Sequence, residues 1–80
     1  YRIPKLIRDI LIKLNGNETL GSVLDLGCGT GLLGLEIKRY CSALEGIDLS
    51  NNMLSVAKQK NVYDKLSQFD ILEYLASMLD

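Results

Sequence analysis

The glycine-rich stretch at residues 27–34 has the spacing best suited to binding chemistry in this sequence. Gly27, Gly29 and Gly31 alternate, and the last two form the pattern GxGxxG together with Gly34. The apolar run VLDL at residues 23–26 precedes them and predicts a buried strand. A strand that enters a glycine turn and restarts as a helix directs backbone N–H groups and the positive helix end at one point. The stretch therefore predicts a binding site for a ligand with an anionic group.

A carboxylate follows at the position where a ribose would bind. Asp48 ends the next predicted strand, residues 43–49, roughly twenty residues beyond the first glycine. An Asp there can accept hydrogen bonds from ribose hydroxyls, although an Asp after a strand is also a common turn residue or helix cap. Together with the glycines, Asp48 favours ribose binding. The GxGxxG pattern alone fits a dinucleotide, so two kinds of cofactor remain open at this point.

The remaining reactive side chains, one aspartate and two cysteines, exclude some kinds of site. Asp25 is a charge inside an apolar strand, which is costly to bury unless it accepts hydrogen bonds. Cys28 and Cys41 lack a CxxC spacing and the chain has no histidine, so no metal is expected and Cys28 has no usual base to activate it. Two free thiols indicate a reducing compartment, and we expect the protein to be cytoplasmic.

Periodicity places these residues on alternating helices and strands. The predicted elements are helix 4–14, strand 23–26, helix 32–40, strand 43–49, helix 51 to about 60, weak strand 66–69 and helix 71–79. This order is typical of an α/β fold with a Rossmann-like parallel sheet and helical crossovers. We expect strand 23–26 to lie beside strand 43–49, with helices on both faces of the sheet.

Capping residues mark the ends of several predicted helices. The NGN cluster at residues 15–17 is expected to end the first helix. Ser50 is a good N-cap for the third helix, and Asn61 can adopt the left-handed conformation that closes it. Asp70 precedes the last helix at capping-box-like spacing from Glu73.

Size and charge exclude several classes of protein. The 80 residues suffice for one domain, residues 1–80, and a domain this short has a marginal core. The net charge of −1 gives no electrostatic footprint for nucleic acid. No apolar run approaches the roughly 20 residues that span a bilayer, so neither nucleic acid nor a membrane is an expected partner. The basic residues near the N-terminus are interpreted as the solvated face of the first helix: Arg2, Lys5, Arg8 and Lys13.

Two linked motifs give the chain a family resemblance. VLDLGCGTG at residues 23–31 resembles the first motif of class I S-adenosylmethionine-dependent methyltransferases, of the methyltransferase type 11/12-like kind. GIDLSNNML at residues 46–54 resembles their second-strand motif. The resemblance implies the N-terminal, cofactor-binding half of a seven-strand class I fold, with S-adenosylmethionine as the cofactor. It also implies transfer of the methyl group to an acceptor, which the sequence leaves unidentified.

The resemblance implies which loop residues bind the cofactor. Gly27, Gly29 and Gly31 would approach its methionine part, and Cys28 would lie beside them as a small loop residue rather than a nucleophile. Asp25 would help to hold the glycine loop and the ammonium region of the cofactor. No residue can be assigned to the methyl-transfer step itself.

The implied ribose and adenine contacts lie farther along the chain. Asp48 would accept from both ribose hydroxyls, with Leu49 and Met53 flanking the adenine. Asp70 would accept from the adenine amino group, with the backbone of Ile71 nearby. Two of these residues have a second interpretation, because Asp70 fits a helix cap and Met53 lies at the helical spacing of a core residue.

The resemblance also implies a further strand that pairs with residues 23–26 on their free side. The sequence begins without Met or a signal peptide and ends before that strand, so we expect a fragment that is inactive alone. The rest of the parent domain would then cover the sheet edge. Two alternatives stay open. The GxGxxG overlap fits the cofactor domain of an NAD-dependent oxidoreductase, and the truncated sheet fits a non-catalytic module that retains the methyltransferase fold.

Overall fold

The computed structural model describes residues 3–16 and 19–79 and shows an α/β fold with one parallel sheet. Arg2 and Asn17, which the sequence placed on a helix face and at a helix end, lie outside the described residues. The predicted order of elements is confirmed. The helices are α1 (Ile3–Leu14), α2 (Leu32–Ile37), α3 (Asn51–Gln59) and α4 (Ile71–Ser77), and the strands are β1 (Gly21–Leu26), β2 (Cys41–Asp48) and β3 (Lys65–Gln68).

The sheet has the strand order β1-β2-β3, and both pairs are parallel. Asp25 of β1 lies opposite Gly46 of β2, and Glu45 of β2 lies opposite Lys65 of β3. The expected pairing of the first two strands is therefore confirmed. Within the described residues β1 bonds to β2 alone, so the strand that leads into the glycine loop forms an edge of this sheet.

Two tyrosines show that helices cover both faces of the sheet, as predicted. Tyr74 of α4 donates a long hydrogen bond of 3.4 Å from its hydroxyl to Glu45. The ring of Tyr63 packs between Gly34 of α2 and Gly46, the residue that follows Glu45 in β2. Because successive residues of a strand face opposite sides, α4 and α2 lie on opposite faces.

The core is centred on β2. Leu44 and Ile47 are fully buried, and since they are an odd number of residues apart, β2 is covered on both faces. Burying each such side chain stabilises the fold by about 1.5–3 kcal/mol. Ile37 at the end of α2 is also buried. On the outside, α1 is joined to α2 by an ion pair of 2.7 Å between Arg8 and Glu36. None of the described helices is both long and apolar enough to cross a membrane.

The predicted caps are present. The Ser50 hydroxyl accepts a hydrogen bond of 3.3 Å from the Met53 N–H at the start of α3. Asn61 follows that helix in the left-handed conformation, with a φ of 57°. Gly16 has a φ of 68° just after α1. Short polar side chains and glycine therefore fix these helix ends as their types predict.

Several element boundaries differ from the prediction by a few residues. β1 begins at Gly21 because that residue pairs with Cys41 and the preceding Leu20 N–H donates to the Tyr40 carbonyl at 2.6 Å. The helix predicted at 32–40 is α2 followed by a 3-10 turn, Lys38–Tyr40, which tightens the chain directly before β2. β2 and β3 each end one residue earlier than predicted, and α4 ends at Ser77 rather than at residue 79. Backbone hydrogen bonding decides where each element ends. The pattern of apolar residues predicts only which face is buried, so it does not locate these ends.

Gly46→Ala is expected to destabilise the protein, because the new Cβ would lie 2.8 Å from the Tyr63 ring. The ring is held on several sides and cannot move freely, so we predict a loss of about 1–3 kcal/mol in the free energy of unfolding. Denaturant unfolding of the full-length protein followed by circular dichroism measures it. Ser42→Ala, at an exposed position of the same strand, is the control. Equal stability of Gly46→Ala and wild type would contradict this packing.

Candidate functional site

The glycine loop, residues 27–31, connects β1 to α2 and is bonded to the end of β2. Gly27, Gly29 and Gly31 have φ angles of 72°, 56° and 87°, in the region that glycine adopts without strain. The N–H groups of Gly27 and Cys28 both donate to the Ile47 carbonyl, at 2.7 and 3.0 Å. Because Ile47 is fully buried in the central strand, the loop is fixed relative to the sheet.

Asp48 is held by two backbone N–H groups. Its Oδ2 accepts from Gly29 at 2.9 Å, and its Oδ1 accepts from Ser50 at 2.9 Å. Each oxygen of a carboxylate has two lone pairs, so one acceptor position remains on each oxygen. Asp48 is half-buried and borders an open cleft. The carboxylate is therefore held in a fixed orientation at the border of the cleft, with two acceptor positions still unused.

The cleft lies beyond the carboxyl ends of the strands, where open parallel sheets bind their ligands. Its volume is about 230 Å³. It brings together most of the residues predicted to contact the ribose and adenine, and it adds Leu72, for which the sequence carries no signal. The lining residues are Gly27, Asp48, Leu49, Asp70, Ile71 and Leu72.

Hydrogen bonds join the two walls of the cleft. The Gln68 side-chain amide donates to the Leu49 carbonyl at 2.9 Å, and the Phe69 N–H donates to the Asp48 carbonyl at 3.2 Å. Both bonds connect the end of β3 to the end of β2. Gln68 was not singled out from the sequence, since a polar residue at the exposed end of a short strand looks like any solvated side chain.

Asp70 is confirmed as the N-cap of α4. Its Oδ1 accepts from the Glu73 N–H at 3.1 Å. In the part of the chain that the structure describes, no other group donates to this carboxylate. Capping therefore uses one oxygen and leaves the second available to a donor in the cleft, so the two interpretations of Asp70 are compatible.

Asp25 accepts a hydrogen bond of 2.7 Å from the Tyr63 hydroxyl. This bond supplies the partner that a charge in an apolar strand needs. Burial, followed by the hydrogen bond to Asp25, raises the pKa of Tyr63, so the hydroxyl remains a proton donor. Tyr63 was missed from the sequence. The available signal was indirect, namely two glycines inside regular elements, Gly34 and Gly46, whose missing side chains leave room for its ring.

The remaining predicted site residues lie outside the walls of the cleft. Met53 is on α3 with 44% of its surface exposed, and Gly31 is buried against Tyr63 and α3. Cys28 is buried in the loop. Burial, and then the charges of Asp25 and Asp48, raise the pKa of its thiol to about 11. A thiol that is neutral at physiological pH is a poor nucleophile, which agrees with its interpretation as a small loop residue.

The residues that form the glycine loop and the cleft lie in a region that matches a known protein family. The family described as a methyltransferase domain matches residues 23–79, which contain the glycine loop and both cleft carboxylates. An uncharacterised methyltransferase of Schizosaccharomyces pombe is 39% identical over 57 residues, covering 71% of this chain and 22% of that protein. The putative methyltransferase YqeM of Bacillus subtilis is 48% identical over 40 residues, covering 50% of this chain and 16% of that protein. The chain spans about a fifth of the length of these curated relatives.

Solved structures share the fold. An S-adenosylmethionine-dependent methyltransferase from Clostridium acetobutylicum superimposes with a TM-score of 0.72 and 30% identity, covering 82% of this chain and 29% of that one. Magnesium protoporphyrin IX methyltransferase from Synechocystis, solved with bound S-adenosylmethionine, gives a TM-score of 0.69 at 21% identity and covers 86% of this chain and 36% of that one. These likenesses confirm the predicted Rossmann-like fold. With the match of residues 23–79, they show that the chain belongs to the methyltransferase domain family.

Proposed function

We propose that this chain binds S-adenosylmethionine as the N-terminal, cofactor-binding part of a methyltransferase. The observation that carries the proposal is the carboxylate of Asp48, which Gly29 and Ser50 hold with one free acceptor position on each oxygen. The two adjacent hydroxyls of a ribose match those positions. When bound, S-adenosylmethionine supplies an activated methyl group on its positively charged sulfur.

The cleft beside Asp48 suits an adenine. Leu49, Ile71 and Leu72 give it apolar walls, and the free oxygen of Asp70 can accept from the adenine amino group. Its volume of about 230 Å³ lies below the roughly 300–1,000 Å³ of whole-ligand pockets, so it accommodates part of the cofactor. We assign the adenosine to the cleft and the methionine part to the adjoining glycine loop.

The charge around the glycine loop favours a cation. The carboxylates of Asp25 and Asp48 both help to raise the pKa of the Cys28 thiol, so two negative charges lie near the loop. The sulfonium and ammonium groups of S-adenosylmethionine gain from both charges. Asp48 is compatible with the ribose of either cofactor, whereas the charge of Asp25 directly before the loop disfavours the pyrophosphate of a dinucleotide. This supports the methyl donor over the NAD-dependent alternative, as does membership of the methyltransferase domain family.

We infer that residues outside this chain bind the methyl acceptor. The chain spans less than a third of the solved methyltransferase from Clostridium acetobutylicum. Methyl transfer requires an acceptor atom held in line with the sulfonium methyl group. Methyl transfer to a small-molecule, protein or RNA pool by the full-length protein would separate an active enzyme from a non-catalytic module that only binds the cofactor.

Asp48→Asn is expected to weaken binding of S-adenosylhomocysteine, the stable demethylated product, by about tenfold or more in the full-length protein. The charge that strengthens both ribose hydrogen bonds is lost, and the amide nitrogen must face one of two backbone N–H donors. Isothermal titration calorimetry measures the change. Asp9→Asn removes the same charge from an exposed residue of α1 and is the matched control. Unchanged affinity in Asp48→Asn would rule out the ribose contact.

Ligand competition tests the choice of cofactor. We expect S-adenosylhomocysteine to bind the full-length protein and a large excess of NADH to leave that binding unaffected, because the carboxylate of Asp25 lies directly before the loop that would hold a pyrophosphate. Displacement of labelled S-adenosylhomocysteine at equilibrium is the measurement, with unlabelled S-adenosylmethionine as the positive control. If NADH displaces the label and S-adenosylmethionine does not, the NAD-dependent alternative is correct.

A further inference from the structure

Tyr63 occupies a space that three glycines leave open. A Cβ added at Gly34 would lie 2.5 Å from its Cζ atom, one at Gly46 would lie 2.8 Å from its Cε1, and one at Gly31 would lie 3.1 Å from its Cε2. These glycines belong to α2, to β2 and to the end of the glycine loop. The ring is therefore enclosed by the elements that position the loop, although Tyr63 itself lies in the connection before β3.

The register of the sheet explains how the hydroxyl reaches β1. Asp25 lies directly opposite Gly46, and because residue 46 has no side chain, the ring of Tyr63 passes across β2 at that point. Its hydroxyl then donates to Oδ2 of Asp25 at 2.7 Å. Tyr63 thus connects the segment before β3 to the end of β1, directly before the glycine loop.

In this bond the Tyr63 hydroxyl donates and one oxygen of Asp25 accepts. Burial raises the pKa of Tyr63, so the tyrosine acts as a neutral donor. Among the described residues, no other side chain donates to Asp25. The second oxygen is therefore available. Asp25 lies in β1 directly before the loop, and its carboxylate helps to raise the pKa of the Cys28 thiol.

We propose that Tyr63 is a positioning residue for the methyl donor, whose hydroxyl fixes the Asp25 carboxylate beside the glycine loop so that it attracts the ammonium group of the donor's methionine part. This rests on the proposed function. A carboxylate held in one orientation binds a cation without losing the freedom that an unrestrained side chain would lose. Tyr63 acts through Asp25 and does not itself contact the ligand.

Two ligands distinguish the role of Tyr63, because only one of them has the amino-acid part. 5′-Methylthioadenosine has the adenosine and the thioether sulfur of S-adenosylhomocysteine but lacks its amino-acid part. Tyr63→Phe removes only the hydroxyl and is expected to weaken binding of S-adenosylhomocysteine to the full-length protein by about tenfold, while the affinity for 5′-methylthioadenosine stays within twofold or so of wild type. A purely structural role would weaken both ligands alike.

Four further variants complete the experiment. Asp25→Asn should reproduce the selective loss, and the double variant with Tyr63→Phe should lose less than the sum of the two single effects, since both remove one interaction. Asp48→Asn should weaken both ligands, because both have the ribose. Tyr40→Phe is the matched control, since it removes a tyrosine hydroxyl that is bonded to Arg39.

Isothermal titration with both ligands distinguishes the outcomes. A selective loss in Tyr63→Phe and Asp25→Asn supports the proposal. Equal losses for the two ligands, or no loss, overturn it while leaving the proposed function intact, provided that Asp48→Asn weakens both. If wild type binds neither ligand, the proposed function fails and the role of Tyr63 fails with it. Should Tyr63→Phe not fold, the ligand preference of Asp25→Asn decides.

Discussion

The hydrogen bonds between the glycine loop and the end of β2 are the interaction on which the site depends. Gly27 and Cys28 donate to the Ile47 carbonyl, and Gly29 donates to the Asp48 carboxylate. Ile47 lies in the most buried strand of the sheet, so a small core is sufficient to fix the loop. The close approach requires backbone conformations that glycine adopts freely. Without these bonds neither the cleft nor the orientation of Asp48 would be defined.

Three carboxylates lie within the strands or just after them, and each is oriented by hydrogen bonds. β1 carries Asp25, which Tyr63 holds, and β2 ends in Asp48, which two backbone N–H groups hold. Beyond β3, Asp70 is oriented by the helix that it caps. Side chains restrained before a ligand arrives bind it with a smaller entropic cost. The three carboxylates also make this end of the sheet negative, which suits a positively charged cofactor.

The sequence predicted the order of elements, the strand pairing and most of the cleft, because these depend on periodicity and on glycine and aspartate at fixed positions. It did not predict that Asp48 would hold the loop as well as border the cleft, since that bond joins residues brought together by the register of β1 and β2. Tyr63 and Gln68 were missed for the same reason. A tyrosine in a polar connection has no pattern of its own, and only the glycines at 34 and 46, each costing about 0.5–1 kcal/mol within a regular element, point to a neighbour that needs the space.

A crystal structure of the full-length protein with S-adenosylhomocysteine tests the central claim most directly. We predict that both ribose hydroxyls lie about 2.5–3.0 Å from the two oxygens of Asp48, with the bonds from Gly29 and Ser50 retained. The adenine should then lie between Leu49 and Ile71. A ribose bound away from Asp48, or an Asp48 side chain rotated away from the loop to admit the ligand, would contradict the claim.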